Sequence, residues 1–112
     1  MKIYHNPRCS KSRQGLAILK ENKQPFEIVK YLETPLTKTE LSNLIKLLAI
    51  KPIDLVRKNE TIWKIEFKGK NLSDSEIITA MVNNPKLIER PIVVKNDKAV
   101  IGRPPEIIKT IL

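Results

Sequence analysis

The 112-residue chain has very little cysteine and few aromatic side chains. Its single cysteine, Cys9, cannot form an intramolecular disulfide, whereas a small secreted domain would usually carry several cysteines. Two Phe, two Tyr and one Trp are scattered along the chain, so they form no aromatic platform on which bases could stack. We therefore expect a protein of a reducing compartment, and we do not expect nucleic acid as its partner.

The chain also lacks a long apolar run. The longest candidate, around residues 47–50, is bounded by Lys46 and Lys51, so no segment approaches the length of a membrane span. Residues 1–5 enter a strand-like pattern directly and contain no apolar stretch of the kind that a signal peptide requires. These absences predict a cytoplasmic protein that does not bind the membrane.

Positive charge is abundant. The formal net charge is +9, from 21 basic and 12 acidic side chains, and the lysines are spread along the whole chain. Such a distribution favours a generally solvated basic surface and anionic substrates or partners over a localised nucleic acid interface. Hydrophobic residues make up 41% of the sequence, and no repeat or linker divides it, so we predict a single domain over residues 1–112.

The first third of the chain is predicted to form a strand, a helix and a second strand. Residues 2–5 form the first strand, a helix runs from Cys9 or Ser10 to about residue 22, and residues 26–31 alternate like a second strand. A strand, a helix and a strand in this order predict a right-handed crossover between parallel strands.

The middle of the chain is helical. Capping boxes at residues 37–40 and 73–76 each begin a helix with apolar residues at helical spacing. Short helical turns are expected at residues 52–56 and 61–67. We interpret this part, about residues 37–84, as a helical insertion.

The end of the chain returns to strands. Residues 91–95 and 98–101 are predicted strands, joined by a tight hairpin turn at Asn96 and Asp97. Residues 104–106 open a last helix, because proline is tolerated in the first helical turn. The predicted class is α/β: a four-stranded mixed sheet flanked by helices, with the insertion between its βαβ and ββα parts.

Cys9 follows the first strand and opens the first helix. Free backbone N–H groups and the helix dipole stabilise an anion at this position, and Arg8, Lys11 and Arg13 add positive charge. Thiols in such settings have pKa values lowered to about 3.5–7.5. The alternative is a small buried apolar side chain, as many free cysteines are, but the polar neighbours favour a reactive thiol.

The spacing after Cys9 excludes two common mechanisms. Ser12 stands where a C-x-x-C pair would have its second thiol, and Gly15 stands where a Cys-x5-Arg phosphatase loop would have its arginine. An oxidised Cys9 would therefore need a thiol from another molecule. The lone histidine and the lone cysteine give no cluster of metal ligands, so we expect no metal and no bound cofactor.

Five segments resemble the glutaredoxin-coupled arsenate reductases of the ArsC type, in that family's order and over nearly the entire chain. They are residues 3–13, 31–35, 56–59, 89–94 and 102–106. The resemblance implies a thioredoxin-like fold with a helical insertion, which agrees with the order of elements above. It also implies arsenate reductase activity and cytoplasmic arsenic resistance.

The resemblance implies a set of site residues. Cys9 matches the family's nucleophile, and Arg57, Arg90 and Arg103 match its three oxyanion-binding arginines. Guanidinium groups offer paired donors that suit a multiply charged oxyanion, and they would offset the repulsion between that anion and a thiolate.

Three further residues lie in the matching segments. His5 matches a histidine that favours the thiolate, although a structural hydrogen-bonding role is equally open. Ser12 is expected either to donate to the bound substrate or only to cap the helix. Pro91 matches the cis proline that begins the third strand of thioredoxin-like folds and faces the cysteine, which would bring Arg90 near the thiol.

The resemblance implies glutathione as co-substrate and glutaredoxin as partner, and we expect a monomer. Spx-type regulators, which share this fold and bind RNA polymerase, are an alternative. They usually carry a C-x-x-C switch, which Ser12 interrupts here. A further alternative is an ArsC-like thiol protein that acts on another anion or on glutathione conjugates.

Overall fold

The computed structural model describes all 112 residues, which form four strands, four α-helices and three 3₁₀ helices. The strands are β1 (Lys2–Tyr4), β2 (Glu27–Val29), β3 (Ile92–Lys95) and β4 (Lys98–Ile101). The α-helices are α1 (Ser10–Asn22), α2 (Lys38–Leu48), α3 (Thr61–Glu66) and α4 (Asp74–Asn83). The 3₁₀ helices are Pro52–Leu55, Pro85–Leu87 and Pro105–Ile111. None of the helices combines the length and the apolar character that crossing a membrane requires.

The four strands form one mixed sheet in the order β2-β1-β3-β4. β1 runs parallel to β2 and antiparallel to β3, with Ile3 opposite Ile28 on one side and Val93 on the other. β3 and β4 form an antiparallel hairpin whose turn places Asn96 at a φ of 55°. Asparagine tolerates this left-handed conformation better than most residues, which explains the tight turn. The predicted α/β class, thioredoxin-like with a four-stranded mixed sheet, is confirmed.

The chain divides into two compact units, and the first contains residues 1–34 and 90–112. Its core is a cluster of fully buried apolar side chains, from the sheet, from α1 and from the last 3₁₀ helix. They are Ile3, Leu19, Val93 and Ile108. The central strands contribute to this core because their apolar side chains point to the face that the helices cover.

The second unit, residues 35–89, contains α2, α3 and α4. Both predicted capping boxes are present, at Thr37 with Glu40 and at Ser73 with Glu76. The 3₁₀ helix Pro52–Leu55 and helix α3 also occur where helical turns were predicted. The single-domain interpretation and the bounds of the insertion stay predictions.

The predicted strand bounds were too long at several ends. β3 begins at Ile92 and not at Pro91, because proline has no N–H to donate to a neighbouring strand. β2 spans only Glu27–Val29. The last helix is a 3₁₀ helix, Pro105–Ile111, with proline in its first turn as predicted.

Candidate active site

Cys9 is the N-cap residue of α1, with an extended backbone at φ −97° and ψ 123°. Its N–H donates to the carbonyl oxygen of Asn6 at 3.0 Å, and its own carbonyl oxygen accepts from the N–H of Arg13 at 3.0 Å. The helix therefore begins directly after Cys9, as predicted from the sequence. The thiol is half-buried, so part of its surface remains open to a reactant.

The turn between β1 and α1 is fixed by its own polar groups. The N–H of Asn6 donates to Oγ of Ser12 at 3.0 Å, and Oδ1 of Asn6 accepts from the N–H of Arg8 at 3.0 Å. Nη1 of Arg13 donates to the carbonyl oxygen of Pro7 at 3.0 Å. Each residue of the turn is thus tied to a neighbour, which holds Cys9 in place at the start of the helix. Asn6 is a site residue that the sequence analysis missed.

Two of the predicted arginines lie at the thiol. Arg90 is buried, with 8% of its surface exposed, and its guanidinium is within interaction distance of the Cys9 thiol. Nη1 of Arg103 lies 3.9 Å from Sγ of Cys9 and donates to the carbonyl oxygen of Arg90 at 3.1 Å. The structure therefore brings Cys9, Arg90 and Arg103 together, although they are far apart in the sequence.

Pro91 is the neighbour that positions Arg90. The Arg90–Pro91 peptide bond is cis, as expected, and Pro91 is fully buried. A Cβ atom at Gly15 would lie 2.8 Å from Cγ of Pro91, and one at Gly102 would lie 2.9 Å from the same atom. Real Cβ contacts are essentially never this short. Glycine at both positions therefore allows Pro91 to approach α1 and the end of β4.

The pKa of the Cys9 thiol lies below its usual value. Burial alone would raise this pKa, but the backbone N–H of Ser12, the guanidinium of Arg90 and the backbone N–H of Lys11 lower it by a larger amount in sum. N–H groups at a helix N-terminus and a nearby cation both favour the anionic form of a thiol. The arrangement therefore produces a thiolate more readily than a free cysteine does.

His5 and Ser12 form a buried pair beneath the turn. Nδ1 of His5 is hydrogen bonded to Oγ of Ser12 at 2.7 Å, and Ser12 is fully buried. Burial, together with the positive charge of Lys30, lowers the pKa of His5. His5 therefore favours its neutral form at pH 7 and acts as a hydrogen-bonding group. Its predicted catalytic role and the predicted substrate contact of Ser12 stay predictions.

Arg57 lies in the second unit, just after the 3₁₀ helix Pro52–Leu55. Its Nε is 3.4 Å from Oε1 of Glu60, and its Nη1 is 3.7 Å from Oε2 of Glu89. The sequence analysis singled out Arg57 but neither carboxylate. Arg57 and Glu60 lie in a turn and not in a helix, so their spacing did not indicate a pair, and Glu89 is brought to Arg57 only by the fold.

No group of three or more His, Cys, Asp or Glu side chains is arranged to hold a metal ion. The groups that the structure places at this site are the Cys9 thiol and the guanidinium groups of Arg90 and Arg103. A half-buried thiol with a lowered pKa, two guanidinium groups and the N–H groups of a helix N-terminus suit nucleophilic attack on an anion.

Comparisons with known proteins agree with this interpretation. The sequence profile described as the ArsC family matches residues 4–111. The chain is 53% identical to YfgD of Escherichia coli strain K12, a protein described as uncharacterized, over 95% of this chain and 91% of that protein. It is 42% identical to an arsenate reductase of Haemophilus influenzae, over 98% of this chain and 97% of that protein.

A solved structure of an arsenate reductase is also similar to this chain over its whole length. An arsenate reductase from Vibrio cholerae superposes with a TM-score of 0.93 and 43% identity. The superposition covers 100% of this chain and 98% of the Vibrio chain. At this level of identity and coverage the similarity extends to the whole chain and is not limited to a shared motif.

Proposed function

Because the chain belongs to the ArsC family, we propose that it reduces arsenate to arsenite with Cys9 as nucleophile and glutathione with glutaredoxin as reductants. The observation that carries this proposal is the Cys9 thiol itself, half-buried at the N-terminus of α1, with a lowered pKa and two guanidinium groups beside it. The relatives named arsenate reductase support the choice of oxyanion.

The two arginines at the thiol address the main electrostatic obstacle to the reaction. A thiolate and arsenate are both anions and repel one another in the absence of compensating charge. Arg90 is buried and Arg103 reaches the thiol from the partly exposed side, so their charges act where the two anions meet. Guanidinium groups also offer paired N–H donors that match the oxygens of a tetrahedral oxyanion.

The first chemical step forms a sulfur–arsenic bond. The Cys9 thiolate attacks the arsenic of bound arsenate, and an arsenate oxygen leaves as hydroxide or, after protonation, as water. The N–H groups of Lys11 and Ser12, which favour the thiolate in the free protein, stay close to this sulfur. Since arsenic keeps its oxidation state in this step, no reductant is consumed.

The second step requires a thiol from another molecule, because Cys9 is the only cysteine of the chain. A glutathione thiolate attacks the sulfur of the adduct, and the electron pair of the sulfur–arsenic bond passes to arsenic. Arsenite leaves, and a disulfide between Cys9 and glutathione remains. Glutaredoxin removes the glutathione by thiol–disulfide exchange, which restores the Cys9 thiol.

Three other residues have supporting roles in this scheme. His5 and Ser12 hold the turn before α1, and Ser12 contributes its backbone N–H to the thiolate. Arg57 is assigned as a further anion contact by the family resemblance. No bound cofactor or metal takes part.

The test is arsenite production in the presence of glutathione, glutaredoxin and NADPH-coupled glutathione reductase. We expect turnover with the wild-type protein and a loss of more than about 10³-fold in Cys9→Ser, because a hydroxyl cannot replace the thiolate as nucleophile. Ser10→Ala, which alters an exposed hydroxyl next to Cys9, is the matched control and should retain turnover.

Two outcomes would contradict the proposal. Turnover in Cys9→Ser would show that another group is the nucleophile. Absence of turnover in well-folded wild-type protein would reject arsenate reduction and favour an ArsC-like thiol protein with another substrate or an Spx-like regulator. Retention of RNA polymerase on the immobilised protein would then separate these two alternatives.

A further inference from the structure

Two cations flank Cys9 in the chain without a carboxylate partner. Arg8 directly precedes Cys9 and is exposed, and Lys11 follows it by two positions and is half-buried. Neither side chain forms an ion pair. We call Arg8 and Lys11 the cationic rim. The turn fixes the main chain of Arg8 beside the thiol, because the N–H of Arg8 donates to Oδ1 of Asn6 at 3.0 Å.

Three acidic residues of the first unit lie away from this rim. Glu21 is the first acidic residue of the chain, and α1 places it about 16 Å from the start of the helix along its axis. Glu27 and Asp97 lie at the end of the sheet that is remote from Cys9, since Glu27 pairs with the first residue of β1 and Asp97 follows the last residue of β3. The first unit has two further acidic residues, which form no ion pair with the rim: Glu33 and Glu106. The rim therefore meets solvent as a positive surface.

The side-chain charges of the rim are not among the groups that we find to lower the pKa of Cys9. Burial raises this pKa, and the backbone N–H of Ser12, the guanidinium of Arg90 and the backbone N–H of Lys11 lower it. Arg103 contacts the sulfur as well, with its Nη1 at 3.9 Å. The guanidinium groups of Arg90 and Arg103 therefore act on the sulfur itself, whereas the side chains of the rim are left for a second reactant.

The second reactant has to be a thiol from another molecule, because the chain has no other cysteine. Its sulfur must reach Sγ of Cys9, so the rest of that molecule comes close to the residues that adjoin Cys9. A guanidinium or an ammonium group there favours a carboxylate on the incoming molecule, and a guanidinium can bind it through paired N–H donors. Glutathione has two carboxylates and one ammonium group, so it is an anion near neutral pH.

We propose that Arg8 and Lys11 bind the carboxylates of the thiol that restores Cys9 and thereby select anionic thiols and disulfides over neutral and cationic ones. Opposite charges raise the rate at which a reactant reaches a site, and the rim adjoins the sulfur at which the reaction occurs. This inference rests on the proposed function for one point only, the need for a thiol from another molecule.

The exchange that tests the rim needs no arsenate. The Cys9 thiolate attacks one sulfur of glutathione disulfide, a disulfide forms between Cys9 and that glutathione, and the sulfur–sulfur bond of the reagent breaks. The electron pair stays on the departing glutathione thiolate, so the number of disulfides is unchanged. The reverse step is the attack of glutathione on the mixed disulfide of Cys9. Both directions pass through the same transition state, so the rim acts on both.

The test compares three disulfides that differ in charge: glutathione disulfide is an anion, hydroxyethyl disulfide is neutral and cystamine is a cation. Mass spectrometry measures the rate of adduct formation, which occurs only at Cys9. The same rates with N-acetylcysteine amide correct for the intrinsic reactivity of each reagent. Relative to this reference thiol, we expect the wild-type protein to favour glutathione disulfide over cystamine by at least about tenfold. Raising the ionic strength from about 0.02 to about 0.5 M should reduce this preference, since salt screens exposed charges.

Arg8→Gln and Lys11→Gln each remove one charge of the rim and keep a polar side chain. We expect Arg8→Gln to slow the reaction with glutathione disulfide by about three- to tenfold and to change that with hydroxyethyl disulfide by less than about twofold. The double variant should lose most of the preference. Lys109→Gln removes an exposed lysine that shares a surface cavity with Asn22 at the far end of α1, so it is the matched control and should retain the wild-type preference.

Alkylation by iodoacetamide separates recognition from activation of the thiol, because this reagent is neutral. We expect Arg8→Gln to react with iodoacetamide at the wild-type rate. Equal slowing of neutral and anionic reagents in Arg8→Gln would show that Arg8 acts on the thiol itself, and it would overturn the inference.

Two other results would also overturn it. One is a wild-type order of rates that matches the reference thiol, and the other is an unaltered preference in both single variants and in the double variant. The two proposals fail separately. A preference that depends on the rim without arsenite production would reject arsenate reduction alone, whereas arsenite production without the preference would reject the role of Arg8 and Lys11 alone.

Discussion

Arg90 and Arg57 are both assigned to the oxyanion by the family resemblance, yet their surroundings carry opposite charge. Arg90 is buried beside the Cys9 thiol, and Arg103, a second cation, donates to its carbonyl oxygen. Arg57 is partly exposed and lies between Glu60 and Glu89. The same residue type therefore lies in two different electrostatic surroundings, since one guanidinium lowers the pKa of the Cys9 thiol while the other is paired with two carboxylates.

The largest expected difference between the two regions is in catalysis. We expect Arg90→Ala to lower kcat/KM for arsenate by about 10²- to 10³-fold, because it removes a buried donor at the reacting sulfur. We expect Arg57→Ala to lower kcat/KM by only about tenfold, mainly through KM, because the carboxylates already offset its charge. Steady-state kinetics of arsenite release measures both effects.

The rate of Cys9 alkylation at pH 7 is the control for this pair of variants. It should fall in Arg90→Ala, because Arg90 lowers the pKa of Cys9. It should stay at the wild-type value in Arg57→Ala, because the groups that we find to lower this pKa all belong to the first unit. Equal losses of kcat/KM and of alkylation rate in both variants would remove the distinction between the two arginines.

A smaller effect is expected from the packing that positions Arg90. Gly15→Ala would place a Cβ atom 2.8 Å from Cγ of Pro91 and 2.9 Å from Cδ1 of Ile108, and the proline ring cannot rotate away. We expect a loss of about 1–3 kcal/mol in the free energy of unfolding, measured by urea denaturation. A loss would be opposite to the usual effect of this substitution. Alanine in place of glycine within a helix normally increases the free energy of unfolding by as much as about 1 kcal/mol.

Gln14→Ala, at the exposed neighbouring position on α1, is the matched control and should change the free energy of unfolding by less than about 0.5 kcal/mol. Gly15→Ala should also lower the alkylation rate of Cys9, since Pro91 and Arg90 would move together. Unchanged or increased stability in Gly15→Ala would mean that the close approach of Pro91 does not constrain the site.

Local signals predicted most of the fold. The two capping boxes, beginning at Thr37 and Ser73, predicted where helices α2 and α4 begin, because Ser, Thr and Glu side chains there accept hydrogen bonds from specific backbone N–H groups. The Asn96-Asp97 turn and the placement of Cys9 at the start of α1 were also correct. Strand ends were less accurate, because β1 and β2 end where pairing stops and not where the sequence pattern changes.

Contacts between distant segments could not be predicted in the same way. Gly15 was interpreted only as the absence of a phosphatase arginine, whereas the structure shows it making room for Pro91, 76 positions later by their residue numbers. Glu89 reaches Arg57 through backbone pairing around Val56 and Ile88, which leaves no local signal. The low pKa of His5 likewise depends on burial and on Lys30, which no spacing rule connects to it.

The central claim is that Cys9 is a thiolate stabilised by Arg90 and by the N-terminus of α1. The most direct measurement is a pH titration of thiolate absorbance near 240 nm, in which the only cysteine gives the only thiol signal. We predict a midpoint below the ordinary thiol pKa of about 8.5 for the wild-type protein and a higher midpoint for Arg90→Ala. A wild-type midpoint at or above the ordinary value would contradict the account.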